Sequence, residues 1–250
     1  MGSYIKSFLI TVLMIQKIYT RLLSHFGPQS WWPVTQEGNL HPTYSGGPKN
    51  EKQQLEVIFG SILTQNTSWK NVEKAIFELN KNNLIDVRKI IKIENKKLAN
   101  IIKSSGYHNQ KAKKLKNFCS FLLKNYNGKL GLLFKKDINK LRKQLLSVNG
   151  IGPETADSII LYAAKKPIFV VDAYTKRIMN RIGFDEKTYE ELQKLFMQNL
   201  PRSEKLFNEC HALLVELGKN ICKKKPLCNE CPISMHCNYY KNIYTRKKEA

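Results

Sequence analysis

A single carboxylate stands where it could do chemistry. Asp172 directly follows a short apolar, β-branched run (residues 169–171), and Tyr174, Lys176 and Arg177 come close behind it. A carboxylate at the edge of apolar structure is partly desolvated, which strengthens its interaction with nearby charges. A fixed carboxylate of this kind stabilises positive charge that develops in a transition state. Asp172 is therefore the candidate catalytic residue.

The segment that leads to Asp172 is predicted to form a helix, a tight hairpin and a second helix. Asp137 precedes an apolar-periodic run that stops at Asn149 and Gly150, which indicates a capped helix. Gly150 and Gly152 suit positive φ angles and a close approach of bare backbone, and Pro153 suits the first turn of the next helix. Because backbone amides at a helix N-terminus bind phosphate, both glycines are candidate phosphate-binding residues.

Four of the six cysteines crowd into residues 222–237. They are Cys222, Cys228, Cys231 and Cys237. Such crowding is not typical of a secreted disulfide framework and indicates an intracellular protein with a cysteine-ligated centre. Four thiolates suit either a tetrahedral zinc ion or a [4Fe-4S] cluster, and spacing alone does not separate the two. A centre here would hold Lys223, Lys224 and Lys225 in place, as a clamp for a polyanion more readily than as a catalyst.

The charge balance indicates a polyanionic partner. Lys and Arg number 42 against 20 Asp and Glu, which gives a formal net charge of +22 over 250 residues. Nucleic acid is the natural partner for such a chain, although a generally lysine-rich proteome would produce the same excess. A hydrophobic content of 42% is enough for a sizeable core. We expect a cytoplasmic, nucleoid-associated, monomeric protein of prokaryotic type.

The N-terminus does not predict a membrane anchor. The apolar run of residues 8–14 is too short to span a bilayer, and no small-residue cleavage site follows it. We interpret it as part of an N-terminal helix that ends near Gly27 and Pro28. Either Met1 or Met14 could be the true first residue.

Tryptophans from two separate segments could form one pocket. Trp31 and Trp32 open a Pro/Gly/Thr-rich loop, and Trp69 follows the Leu-Thr-Gln-Asn-Thr segment of residues 63–67. Enzymes that extrude a nucleotide stack its base on aromatic rings. The alternative is that the first pair anchors its loop and that Trp69 packs between helices.

The hairpin Leu-x-x-x-Gly-Ile-Gly with Asp172 further on resembles the helix-hairpin-helix DNA glycosylases, and with the four cysteines it resembles the endonuclease III branch. The resemblance covers about residues 55–237. It implies an all-α protein with two helical domains and a cleft between them. One domain would be residues 46–165, ending in the helix-hairpin-helix; residues 1–45 and 166–250 would carry Asp172 and the cysteines. It also favours a [4Fe-4S] cluster over zinc, although the first cysteine gap is one residue shorter than the family pattern.

The resemblance also assigns roles at the DNA. Gln65 matches the family's glutamine that fills the gap left by a flipped nucleotide, and Tyr107 and His108 match the side chains inserted opposite it. Lys111 and Lys113, in a lysine-rich first turn beside that loop, are expected to contact phosphates. The implied function is a base excision repair enzyme that acts on double-stranded DNA containing a damaged base.

Glu154 decides the expected type of chemistry. Relatives that also nick the strand carry a lysine here, which forms a Schiff base, and a carboxylate cannot do so. We therefore expect a monofunctional glycosylase. Glu154 together with Trp31, Trp32 and Trp69 would favour a flat cation such as 3-methyladenine, as in the 3-methyladenine glycosylase offshoot. Alternatively, Glu154 only suits a helix N-terminus.

Two other functions stay open. One is an endonuclease III-type glycosylase, with or without lyase activity, for oxidised, deaminated or mismatched pyrimidines. The other is a non-catalytic DNA-binding protein, since such hairpins also serve as simple phosphate clamps. Asp172 argues against the latter, because a clamp needs no carboxylate near DNA.

Overall fold

The computed structural model describes the backbone of residues 2–244 and the side chains of residues 11–242. Helices dominate this part of the chain, and its only strands are Val34–Thr35 and Pro42–Thr43, which pair antiparallel. The all-α prediction is confirmed. No helix within the described residues is long and apolar enough to cross a membrane. Met1 lies outside the described residues.

The chain divides into two compact units. Residues 30–166 form one, here called the hairpin unit, and residues 1–29 with 167–250 form the other, here called the Asp172 unit. The expected second boundary, at 165/166, lies within one residue of the observed one. The first boundary lies at 29/30 instead of 45/46, which corrects the sequence-based expectation.

Polar contacts explain why residues 30–45 belong to the hairpin unit. The Thr35 amide donates to Glu56 Oε1 at 2.7 Å, and Gln53 Nε2 donates to the Thr35 carbonyl at 3.1 Å. Asn80 Nδ2 donates to Glu56 Oε2 and to the Leu40 carbonyl. Burial raises the pKa of Glu56, while these hydrogen bonds oppose that shift. None of these long-range partners could be read from local sequence pattern.

The hairpin unit contains eight helices within the described residues. They are α2 Glu51–Leu63, α3 Trp69–Lys81, α4 Val87–Lys92, α5 Asn95–Ile101, α6 His108–Tyr126, α7 Leu130–Phe134, α8 Ile138–Leu146 and α9 Pro153–Ser158. A 3₁₀ turn, Lys103–Ser105, precedes α6, and a π turn, Ile159–Ala163, extends α9. Helix α6 packs against α4 and α5, and α2 packs against the π turn. Asn50, Asp86 and Asp137 accept a backbone amide as N-caps of α2, α4 and α8, the last as predicted.

The Asp172 unit contains four α-helices within the described residues. They are α1 Gly2–Phe26, α10 Ala173–Ile182, α11 Tyr189–Asn199 and α12 Glu204–Asn220. Helix α12 packs against α1 and α10. Phe169 stacks on Phe196 with ring centroids 4.0 Å apart, so the segment before Asp172 is anchored in a core. The predicted N-terminal helix ending before Gly27 is confirmed.

Candidate functional site

Asp172 is held rigidly at the start of α10. Its Oδ1 accepts from the Thr175 amide at 2.7 Å and from Thr175 Oγ1 at 2.9 Å, so Asp172 caps the helix. Only 14% of the Asp172 side chain is exposed. Since Oδ1 is used for the cap, the orientation of the carboxylate is fixed. The partial desolvation expected for this carboxylate is observed.

A buried histidine lies beside this carboxylate. His211 of α12 places Nε2 3.9 Å from Asp172 Oδ2. Burial lowers the pKa of His211, and the negative charge of Asp172 opposes that shift without cancelling it. The lowered pKa keeps the His211 imidazole neutral at neutral pH. Sequence reasoning missed His211, because nothing local distinguishes it from a core histidine.

The two hairpin glycines differ in conformation. Gly150 has φ +97°, and a Cβ atom there would collide with the Lys114 side chain, so glycine is required on both grounds. Gly152 is extended, with φ −95° and ψ −179°, and a Cβ atom would meet nothing within 4 Å. The expected positive φ at Gly152 is therefore wrong. Pro153 begins α9 as predicted.

A buried ion pair fixes the two helices of the hairpin against each other. Arg142 of α8 donates from Nε to Asp157 Oδ1 at 2.7 Å and from a terminal nitrogen to Oδ2 at 3.1 Å. The Asp157 side chain is fully buried. A bidentate pair of this kind adds geometric precision as well as energy. No local sequence pattern indicates this ion pair.

Gln65 contacts the hairpin directly. Its Nε2 donates to the Gly150 carbonyl at 3.0 Å and to Thr155 Oγ1 at 2.9 Å, and its Oε1 accepts from Lys114. The turn between α2 and α3 is thus tied to the hairpin by one side chain. For Gln65 to enter a duplex, these hydrogen bonds must be exchanged for contacts with DNA.

Tyr107 is presented to solvent by a strained turn. It is 65% exposed and has φ +45°, an uncommon angle for a residue other than glycine, at the N-cap of α6. His108, half-buried, is the first residue of that helix. Because Tyr107 is exposed and its backbone conformation is fixed, its side chain is suited to contact a binding partner.

The lysines of α6 separate into exposed and buried groups. Lys113 is exposed and, with Lys114 and Asn149, lines an open depression beside the hairpin. Lys111 is instead 1% exposed and donates to two backbone carbonyls, so the predicted phosphate contact is wrong for this residue. Lys116 likewise donates to the carbonyls of Ile91 and Ile93.

Three tryptophans meet in the hairpin unit. The ring centroids of Trp31 and Trp69 are 5.2 Å apart, and those of Trp32 and Trp69 are 5.3 Å apart. Trp32 is buried. The ring centroid of Tyr44 lies 5.8 Å from that of Trp31, and the ring centroid of Tyr162 lies 5.1 Å from that of Trp32. We call these five residues the aromatic cluster. Both tyrosines were missed by sequence reasoning, since each comes from a distant segment.

The four clustered cysteines line one small cavity, together with Arg181 of α10. Arg181 donates to Cys222 Sγ at 3.2 Å and to the carbonyls of Lys223 and Lys224, while Cys237 Sγ donates to the Arg181 carbonyl. None of the four is in a disulfide. Among the described side chains, those of residues 11–242, no three Cys, His, Asp or Glu form a group compact enough for a metal ion. Four thiolates are the donor set of an iron-sulfur centre and equally of a tetrahedral zinc ion.

Comparison with known proteins identifies the family. Residues 59–202 match the model of the HhH-GPD superfamily of base excision DNA repair proteins. The chain belongs to this superfamily. It is 45% identical over 227 residues to a Methanocaldococcus jannaschii protein named as a DNA repair glycosylase. The aligned residues make up 90% of this chain and 96% of that protein. Endonuclease III of Thermotoga maritima is 31% identical over 201 residues, 78% of this chain and 88% of that protein.

A solved structure agrees with this assignment. The H. pylori 3-methyladenine DNA glycosylase, bound to 1,N6-ethenoadenine, is similar with a TM-score of 0.65 and 27% identity, over 84% of this chain and 97% of that one. The resemblance to endonuclease III-like glycosylases is therefore confirmed, and the chain is a base excision DNA repair glycosylase.

In this HhH-GPD glycosylase, some of the expected site residues contact one another and others are exposed on the surface. Gln65 and Gly150 are in direct contact, and Trp31, Trp32 and Trp69 form one cluster. Glu154 is exposed in the first turn of α9. Lys223, Lys224 and Lys225 are exposed in the cysteine loop.

Proposed function

We propose that this glycosylase is monofunctional and hydrolytically releases an alkylated purine, such as 3-methyladenine, from double-stranded DNA. The observation that carries the proposal is the aromatic cluster, whose three tryptophans are in mutual ring contact. Aromatic faces bind cations, and an N-alkylated purine is a flat cation. The 3-methyladenine glycosylase named above supports the same substrate class by similarity.

In the proposed mechanism, the enzyme extrudes the damaged nucleotide and Asp172 stabilises the charge that then develops. Gln65 and Tyr107, with His108, fill the space that the nucleotide leaves in the duplex. The base stacks on the aromatic cluster, and Glu154 favours its positive charge. As the glycosidic bond breaks, the sugar becomes cationic, and Asp172 stabilises it and orients the attacking water. Because an alkylated base is already a good leaving group, modest assistance is enough.

Duplex DNA would be held at three places. The hairpin amides around Gly150 and Gly152 bind one phosphate group. Lys113 and Lys114, beside the hairpin, contact the neighbouring backbone. Lys223, Lys224 and Lys225 make a third contact from the cysteine loop. These contacts position the enzyme and carry no sequence information.

The cysteines Cys222, Cys228, Cys231 and Cys237 are proposed to hold one [4Fe-4S] cluster, with zinc as the alternative. Such a cluster would supply a structural crosslink that fixes the loop. Arg181 anchors the same loop, because its guanidinium donates to the carbonyls of Lys223 and Lys224 and to Cys222 Sγ. In this proposal the enzyme acts as a monomer on the DNA of a prokaryotic cytoplasm.

A second candidate function is removal of oxidised, deaminated or mismatched pyrimidines. It is favoured by the identity to endonuclease III and by the cysteine set. Glu154 argues only against a form of this function with lyase activity, because this position offers no amine for a Schiff base.

A panel of duplexes with single lesions tests the proposal. We expect release of 3-methyladenine but not of oxidised or mismatched pyrimidines, and strand breakage only after hot alkali. Borohydride should trap no covalent adduct, because Glu154 cannot form an imine. Glu154→Lys should introduce weak nicking and trapping, and serves as the positive control. Release of pyrimidine lesions alone would favour the second function, and efficient trapping of the wild type would exclude the monofunctional mechanism.

The salt dependence of DNA binding tests the cysteine-loop lysines. Replacing Lys223, Lys224 and Lys225 by Ala should lower the slope of log affinity against log salt by up to about 2.7, since each lost phosphate contact removes about 0.9. The matched control replaces three exposed lysines elsewhere in the same unit, Lys187, Lys194 and Lys205. This control variant changes the net charge by the same amount as the first variant. Its slope of log affinity against log salt should stay close to that of the wild type. An unchanged slope in the first variant would place the DNA contact elsewhere.

A further inference from the structure

Lys111 is a cation buried in the hairpin unit without a carboxylate among its hydrogen-bond acceptors. Its side chain is 1% exposed, and Nζ donates to the Leu63 carbonyl at 2.8 Å and to the Ser105 carbonyl at 2.6 Å. Burial lowers its pKa to about 8, with the charge of Lys114 contributing, so the ammonium form predominates at neutral pH. Burying a charge in this way is costly unless it is well bonded.

The two carbonyls have equivalent positions in the chain. Leu63 is the last residue of α2, and Ser105 is the last residue of the 3₁₀ turn before α6. Carbonyls at such ends lack helical partners and attract a cation. Leu63 lies two residues before Gln65, and Ser105 lies two residues before Tyr107. One ammonium group therefore joins the bases of both turns that carry the proposed duplex-entering side chains.

We propose that Lys111 is a positioning residue that sets the spacing between the Gln65 turn and the Tyr107 turn. The inference rests on the proposed function to the extent that Gln65 and Tyr107 enter the duplex. Two side chains that replace one extruded nucleotide must enter at a fixed separation. Hydrogen bonds from a single nitrogen restrain that separation more tightly than independent packing of the two turns would.

Lys116 on the same helix provides a matched comparison. Its Nζ also donates to two backbone carbonyls, those of Ile91 and Ile93 at the end of α4. Neither of these residues precedes a proposed DNA-entering side chain. Lys116→Met thus removes the same kind of bond without releasing the two turns, whereas Lys111→Met releases both.

Hydrogen exchange measures the tether directly. In Lys111→Met, amides of residues 64–67 and 105–108 should exchange about tenfold faster, and together, because both lose a charge-assisted hydrogen bond. In Lys116→Met, only amides near residues 91–94 should accelerate. If Lys111→Met fails to fold, Lys111→Gln takes its place, because the shorter amide cannot reach both carbonyls. Acceleration of one turn alone, or of neither, would overturn the tether.

Binding to DNA measures its consequence. The probe is a duplex with one tetrahydrofuran abasic-site analogue, compared with the same duplex undamaged. Lys111→Met should lose about tenfold of the wild-type preference for the abasic duplex, and Lys116→Met should keep it. A preference that stays at the wild-type value in Lys111→Met would overturn the positioning role. Because this probe contains no base to release, failure of the wild type on alkylated purines would refute the proposed substrate and leave this result valid.

Discussion

Asp172→Asn is expected to lower the rate of base release by roughly two orders of magnitude or more while lesion-DNA binding is retained. The carboxylate charge should supply about 3 kcal/mol or more at a cationic transition state. Asn keeps the Oδ1 acceptor that Thr175 uses, so the cap of α10 survives and the variant should fold. Single-turnover base release and equilibrium binding to the same lesion duplex are the measurements.

Asp86→Asn is the control for this substitution. Asp86 caps α4 in the same way, with Oδ1 accepting from the Lys89 amide at 2.8 Å, and it has no proposed role at DNA. Its effect on base release should be small, since only a surface cap changes. Full base release by Asp172→Asn would mean that another residue does the chemistry.

Cys228→Ser or Cys231→Ser is expected to lose iron and solubility. The wild type should be yellow-brown, with broad absorption near about 400 nm, as is typical of iron-sulfur proteins. The two remaining cysteines supply the control. Cys119 and Cys210 lie in α6 and α12, and burial raises the pKa of both thiols, that of Cys210 to about 12. Both thiols lie apart from the four cysteines of the loop, so the Cys119→Ala variant should contain as much iron as the wild type.

Metal analysis after anaerobic purification distinguishes the two possible centres. Iron and sulfide in a cluster ratio would support the proposal. Stoichiometric zinc without iron would contradict it and favour a tetrahedral thiolate site.

The local features of this glycosylase were predictable because each is encoded by adjacent residues. The cap at Asp137, the glycine conformation at Gly150 and the helix start at Pro153 follow from residue type and position alone. Gly152 shows the limit of this reasoning. Its neighbours permit either conformation, and the extended one is adopted.

The sequence by itself determined the helical class, the hairpin and the family, because these depend on periodicity, turn chemistry and motif spacing. Only the tertiary structure decided that Lys111 is a buried tether and not a phosphate contact, since its acceptors at Leu63 and Ser105 come from other turns. The ring contact between Trp31 and Trp69 likewise depends on the tertiary structure. Hydrogen-bond partners and burial are set by which distant segments pack together, and a local pattern does not contain that information.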